Sequence, residues 1–232
     1  MDTKNVYKIF LIQTMKTVIS LGGSLISLDN LDYIRNVAEL IEKASQDFDL
    51  YVVVGGGKLA RQYIKAARHF CNDERYLDKL GILATRLNAF LLASFFKKDI
   101  PETIEEAAKQ ETPVIMGGTT PGHSTDAVAA MLAKHINAYR LIIATDVDGI
   151  YDKDPKKHVD AKKYDEISIE KLKEMMGKEW SRAGESVVID AIACKIIGKA
   201  KIKTFVLNGK NLQQLENAIY GKQFNGTVIV TK

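Results

Sequence analysis

Three glycine clusters, Gly22-Gly23-Ser24, Gly55-Gly56-Gly57 and Gly117-Gly118, each follow a short run of β-branched residues. Glycine there permits positive φ and lets backbone N–H groups come close to an anion. One such turn is ordinary loop geometry, but three at the ends of predicted strands point to phosphate binding. The arrangement is not the dinucleotide fingerprint, because no G-x-G-x-x-G opens a helix. Nor is it a P-loop, since Gly57-Lys58 is followed by Leu59 where a metal-binding hydroxyl is needed. Beyond the second cluster, Lys58 and Arg61 stand at the start of a predicted helix. Cations there oppose the macrodipole by about 0.3–1 kcal/mol each, and a bound polyphosphate reverses that sign. The alternative is that both are solvated surface charges. Leu59, Tyr63, Ala66 and Phe70 mark the face of this helix expected to be buried.

The third cluster continues as Thr119-Thr120-Pro121-Gly122-His123-Ser124-Thr125-Asp126. Ser124 or Thr125 suits an N-cap, and Asp126 in the first turn suits the dipole. Capping does not account for the hydroxyls and backbone donors ahead of it. A fourth segment, Thr145-Asp146-Val147-Asp148-Gly149-Ile150-Tyr151-Asp152-Lys153-Asp154-Pro155, follows a buried strand and carries turn signals. Tyr151 suits either a core anchor or a platform for a base.

Positioning these groups requires strands that alternate with helices. Strands are predicted at Thr17–Leu21, Tyr51–Val54, Pro113–Met116, Leu141–Thr145, Thr204–Leu207 and Thr227–Val230. Helical patterns cover about 30–46, 58–71, 78–97, 124–136, 187–200 and 211–220. Several strands are continuous apolar runs, as expected of a parallel sheet covered on both faces. The expected fold is therefore α/β, a three-layer αβα sandwich with a mainly parallel central sheet. Residues 152–165, rich in Asp and Lys, suit a long exposed loop.

Composition sets outer limits. The chain has 232 residues, 33 basic against 29 acidic, for a net charge of +4. That balance, with no dense basic tract, argues against a nucleic-acid partner. Cys71 and Cys194 are far apart and read as small apolar residues in a reducing compartment. The four histidines form no metal-ligand pattern, so no protein metal site is expected. Val6–Ile12 is apolar but interrupted by Lys8, unlike a signal peptide, and no stretch approaches the roughly 20 apolar residues of a membrane span. The reading is a soluble, cytoplasmic protein, with residues 1–14 an extension before the first strand and 15–232 a single domain.

The ordered segments VVVGGGKLAR, YLDKLG, GGTTPGHSTDA and ATDVDGIYDKDP, preceded by the first GGS and followed by an Asp190-x-x-x-x-Lys195 helix, resemble the amino-acid-kinase superfamily. Within it they most resemble the archaeal branch of UMP kinases, from Met15 onward. The resemblance implies transfer of the γ-phosphate of ATP to UMP, with Mg2+ accompanying ATP and a homo-oligomer, a hexamer in this family. It places the acceptor mainly in the N-terminal half and ATP mainly in the C-terminal half. Gly23, Ser24, Gly57 and Arg61 would meet the ATP phosphates, and Thr145, Asp146, Tyr151 and Asp154 would form the adenine-nucleoside pocket. Gly56 would approach UMP, Asp78 would read its ribose, and Thr119, Thr120, Pro121, Gly122, His123, Ser124 and Thr125 would wrap its phosphate and uracil. Asp126 would organise the cations around the transferring group, with Arg61 and Lys195 among them. Asp78 is otherwise the N-cap of the helix running to Lys97.

Two departures from the superfamily pattern stand out. Ser20 occupies the position, two residues before the first Gly-Gly, where many members carry a lysine; Lys195 is the candidate to neutralise the transition state in its place, the alternative being a solvated surface lysine. Asp146 stands where asparagine is expected. Another acceptor kinase of this fold (for N-acetylglutamate or isopentenyl phosphate) and a non-catalytic nucleotide sensor are the rival readings. Arg61, Asp78 and Asp126 speak against a degenerate site.

Overall fold

A computed structural model describes residues 15–179 and 189–231. The expected extension over 1–14 and the first two residues of the helix expected over 187–200 lie outside the described residues. The strands are β1 (Lys16–Leu21), β2 (Asp49–Val54), β3 (Val114–Met116), β4 (Arg140–Thr145), β5 (Ile150–Tyr151), β6 (Lys163–Tyr164), β7 (Glu166–Ser168), β8 (Thr204–Asn208) and β9 (Gly226–Val230). Seven of them form one sheet in the order β3-β2-β1-β4-β8-β9-β7, and β5 pairs with β6 as a separate hairpin. Within the sheet only β8 and β9 run antiparallel.

The helices are α1 (Leu31–Ala44), α2 (Gly57–Ala67), α3 (Glu74–Ala93), α4 (Ile104–Ala107), α5 (Thr125–His135), α6 (Ile169–Glu179), α7 (Ala191–Ala200) and α8 (Leu212–Tyr220). Successive strand residues point to opposite faces, and each face has its own core. Ile19, Leu21, Val52 and Ile142 face α1, α3 and α8 through Val37, Leu92 and Leu215. Val18, Val53, Leu141 and Ile143 face α5 and α7 through Val128, Leu132 and Ile197. The expected three layers follow from this division.

The chain runs outward from β1 through β2 to β3, then returns to place β4 on the other side of β1. Strand order reverses between β1 and β4, so a crevice opens beyond their carboxyl ends, where open α/β sheets bind ligands. The glycine turns after β1, β2 and β3 and the segment after β4 all emerge at that end.

Several sequence expectations need correction. None of α2 is fully buried; Tyr63 is 55% and Phe70 91% exposed. This short helix rests mainly on α3, so Ile64, against Gly81, marks its inward side. The helix expected from residue 78 starts at Glu74, capped by Asp73, which accepts from the backbone N–H groups of Arg75 and Tyr76. Asp78 is therefore not an N-cap. The stretch over 152–165 is bracketed by the β5–β6 hairpin, and the helix expected from 187 starts at Ala191, capped by Asp190. The expectation that no stretch is long and apolar enough to cross a membrane also fails for Glu74–Phe96, which meets both criteria. Its inward side nonetheless buries Leu77, Ala84, Ala89 and Leu92 in this protein's own core.

Candidate active site

The first two glycine turns form a single unit. A Cβ on Gly23 would stand 2.1 Å from the backbone nitrogen of Gly57, and one on Gly57 would stand 1.9 Å from the Gly23 carbonyl oxygen. Gly57 also has φ +56°, a conformation that a side chain disfavours. The two turns touch backbone to backbone, so glycine is needed here before any ligand is considered. The contact brings the end of β1 against the start of α2, with the α2 amino end facing the crevice. Ser24 and Arg61 are exposed.

Two buried polar residues of α3 hold these turns from beneath. The Asn88 amide donates to the carbonyls of Gly55 (2.9 Å) and Gly56 (3.3 Å). Thr85 Oγ1 accepts from the Gly118 N–H at 2.6 Å and donates to the Ile82 carbonyl. Sequence reading missed both. The available signal was a Thr and an Asn three residues apart inside an apolar helix, where buried polar groups require partners. The third turn lies directly on α3, since a Cβ on Gly117 would stand 2.8 Å from the Arg86 backbone nitrogen.

Farther along, Asp78 Oδ2 accepts from the Gly122 N–H at 2.8 Å. This joins the Thr119–Thr125 loop to α3 and puts the two expected acceptor elements together. Thr120 Oγ1 and His123 Nδ1 are 2.8 Å apart. Ser124, not Thr125, is the N-cap of α5; its Oγ accepts from the Ala127 N–H and donates to Asp190 Oδ2. Asp190 also caps α7 through the N–H groups of Ile192 and Ala193. One carboxylate thus ties together the amino ends of α5 and α7.

Ser20 lies in the sheet centre, with no exposure, and its Oγ donates to Asp126 Oδ1 at 2.5 Å. Burial pushes the Asp126 carboxyl up from 3.8 to about 6, the Ser20 hydrogen bond draws it down, and the Asp190 charge raises it. Cys194, on the same side, is raised to about 12 by burial and then by Asp190. Where the resemblance leads to the expectation of a lysine, Ser20 therefore supplies a neutral donor to this half-buried carboxylate. Lys195 is exposed on α7 and makes no hydrogen bond or ion pair among the described residues.

On the β4 side, Asp146 is paired with Lys156 at 2.7 Å. Partial burial opposes ionisation, but the Lys156 hydrogen bond and charge hold Asp146 below the usual carboxylate range. Asp154 accepts from the Lys156 backbone N–H, a turn-capping contact that explains this residue locally. Tyr151 is half-buried on β5, its hydroxyl pKa raised by burial and then by Asp148. Asp148 itself accepts from Asn208 of β8 at 2.9 Å. Thr145 ends β4, and its carbonyl accepts from the Gly209 N–H. The glycine turns and the segment after β4 thus flank the β1–β4 crevice, with backbone donors on one side and Asp146, Asp148 and Tyr151 on the other.

The family model described as Amino acid kinase family matches residues 15–208. The chain is 47% identical over 221 residues to a uridylate kinase of Archaeoglobus fulgidus, covering 93% of this chain and 100% of that one. It is 43% identical over 224 residues to a uridylate kinase of Thermococcus kodakarensis, covering 93% and 99% respectively. The crystal structure of the Archaeoglobus fulgidus uridylate kinase superposes with a TM-score of 0.84, at 46% identity, over 93% of this chain and all of that one. A UMP kinase from Ureaplasma parvum, at 22% identity and a TM-score of 0.76 over 94% of this chain and all of that one, shares the fold.

Proposed function

Because this chain belongs to the amino acid kinase family, we propose that it is a UMP kinase, moving the γ-phosphate of ATP onto UMP to give UDP and ADP. The observation that carries this reading is the 43–47% identity to uridylate kinases over 93% of this chain. Phosphoryl transfer asks for in-line positioning and charge compensation more than for covalent chemistry. The UMP phosphate is already an oxyanion near neutral pH, so no strong general base is required.

Gly23, Ser24 and Gly57 receive the ATP phosphates on backbone N–H groups, and Arg61 supplies a fork of donors beside them. Thr145, Asp146, Tyr151 and Asp154 hold the adenine nucleoside. Gly56 and Thr119–Thr125 surround UMP, and Asp78 meets its ribose. Asp126, held by Ser20, would orient the cations that compensate the transferring group, with Lys195, exposed on α7, as a further positive charge. Mg2+ would arrive with ATP and supply compensation of phosphate charge. It prefers phosphate oxygens and water, and among the described residues no cluster of three His, Cys, Asp or Glu is placed to hold a metal ion. Glycine turns presenting backbone donors suit phosphate oxygens, so the cation would be held by the nucleotide itself.

We read residues 15–232 as one cytoplasmic domain working in pyrimidine nucleotide synthesis, acceptor side mainly first and ATP side mainly second. A homo-oligomer, hexameric as in the family, has a suitable surface. On α3, Tyr76, Leu83, Leu87 and Phe90 are between 52% and 60% exposed. Together with Leu80 they recur at alternating four- and three-residue steps, the seam that a second helix covers.

The test is coupled ADP release with Mg·ATP and a panel of UMP, CMP, dUMP, N-acetylglutamate, aspartate and isopentenyl phosphate. Release that depends on UMP alone is expected. Turnover with another acceptor would overturn the roles given to Asp78 and Thr119–Thr125, and nucleotide binding without turnover would point to a sensor.

A further inference from the structure

At the opposite end of the sheet, beneath the amino ends of β4 and β8, lies a cavity of about 670 Å³. Strands of about six residues separate it from the glycine turns, roughly 20 Å at 3.3 Å per residue. Three cations line it, Arg140, Lys203 and Lys222, against one carboxylate, Asp47. Asp47 already accepts a hydrogen bond from the Tyr220 hydroxyl at 2.9 Å.

Each cation sits over an aromatic ring. The Arg140 guanidinium is 4.9 Å from the Tyr139 centroid and 5.9 Å from that of Phe48. Lys203 is 5.4 Å from Phe205, and Lys222 is 5.4 Å from Tyr220. Among the described residues, all four cation–aromatic pairs gather around this one cavity.

Arg140 is the least expected of these groups. It is only 5% exposed, yet no carboxylate pairs with it among the described residues. Its Nη1 donates to the carbonyls of Ala218 and Ile219 at the end of α8, both at 2.7 Å. This favourable helix-end contact leaves Nε buried without a partner. A buried cation without a counterion is costly. Lys203 and Lys222, both exposed, also lack ion pairs among the described residues. Helix capping explains one edge of Arg140 but not the collection of cations and rings around it.

We propose that this cavity binds a small aromatic anion, a planar group bearing a phosphate or carboxylate, at a site separate from the catalytic crevice. Rings would cover the planar body, and the lysines at the rim, with Arg140 behind them, would meet the anionic group by charge-assisted hydrogen bonds.

The experiment uses the full chain with the crevice filled by UMP and a non-hydrolysable ATP analogue. 1-Naphthyl phosphate is titrated calorimetrically into the wild type and into the double variant Lys203→Glu, Lys222→Glu. Both substitutions are at exposed positions outside the proposed catalytic machinery, so unchanged kcat and KM report an intact fold. One bound probe per chain is expected, weakened at least about tenfold in the variant, since both rim donors become repulsive. No binding to the wild type, or equal affinity in the variant, would overturn the proposal. So would neutral 1-naphthol binding as tightly as its phosphate, because the cavity would then recognise only apolar surface.

Discussion

Replacing Asp126 with asparagine should separate stability from catalysis. In the unliganded protein, burial raises this carboxyl from 3.8 to about 6, which corresponds to roughly 3 kcal/mol. The folded protein binds the proton more tightly than the unfolded chain, so this contribution is fully present below pH 3.8 and lost as pH rises through 6. Above pH 6 the folded state carries an ionised carboxylate in an unfavourable place. Asparagine removes that charge and the repulsion from Asp190, yet its carbonyl can still accept from the Ser20 hydroxyl. The expected result is a variant about 1–3 kcal/mol more stable than wild type at pH 7.5, with the gain vanishing towards pH 4. Turnover should meanwhile fall by about 10²–10³-fold, the usual cost of losing an electrostatic group at the reacting centre. Urea unfolding at several pH values measures the first effect, and coupled ADP release the second. Stability is the cleaner pH readout, because a phosphate monoester also titrates near pH 6 and would distort a rate profile. A stability gain equal at pH 4 and 7.5, or losses of stability and turnover in parallel, would refute the reasoning.

Removing the hydroxyl in Ser20→Ala takes away the contact that draws the Asp126 pKa down. The pH at which stability begins to level off should therefore move upward, and an unchanged profile would show that the hydrogen bond does nothing in solution. Asn88→Leu strands the Gly55 and Gly56 carbonyls; a loss of about 1–3 kcal/mol in unfolding free energy is expected, with higher KM for both substrates. Asp78→Ala breaks the link to Gly122 and should raise the UMP KM about tenfold while the melting temperature barely moves. An unchanged KM would remove Asp78 from the acceptor pocket. Leu87→Lys on the exposed face of α3 should reduce the assembly's mass in light scattering, and an unaltered mass would place the subunit contact elsewhere.

The alternation of apolar strands with amphipathic helices was sufficient to predict the three layers, because β2 and β4 are built on continuous apolar runs, Leu50–Val54 and Leu141–Ala144, as a doubly covered sheet requires. The glycine turns, the Thr119–Asp126 segment and their order along the chain were likewise visible, since they are local and carry their own composition. Side-chain placement was less legible where packing outweighed periodicity. The α2 pattern suggested a buried face through Tyr63 and Phe70, but α2 rests mainly on one neighbouring helix, so those rings remain exposed. Asp78 suits a helix cap by sequence alone, but the cap is Asp73, five residues earlier.

Other features arise only when distant segments meet. Nothing near Gly23 in the chain announces that its backbone must lie against Gly57, or that Asn88 must hold the turn between them. Ser20 and Asp126 are 106 residues apart, and their contact exists because β1 is an interior strand between β2 and β4 and the first turn of α5 crosses its end. Arg140 reads as an ordinary charged residue at a strand start until β4, α8 and the neighbouring rings enclose it. The local pattern of side chains thus determined the main strands and helices and which end of the sheet carries the glycine turns. The partners of each buried polar group were decided by strand order, because hydrogen bonds and charges depend on distances that only the assembled sheet fixes.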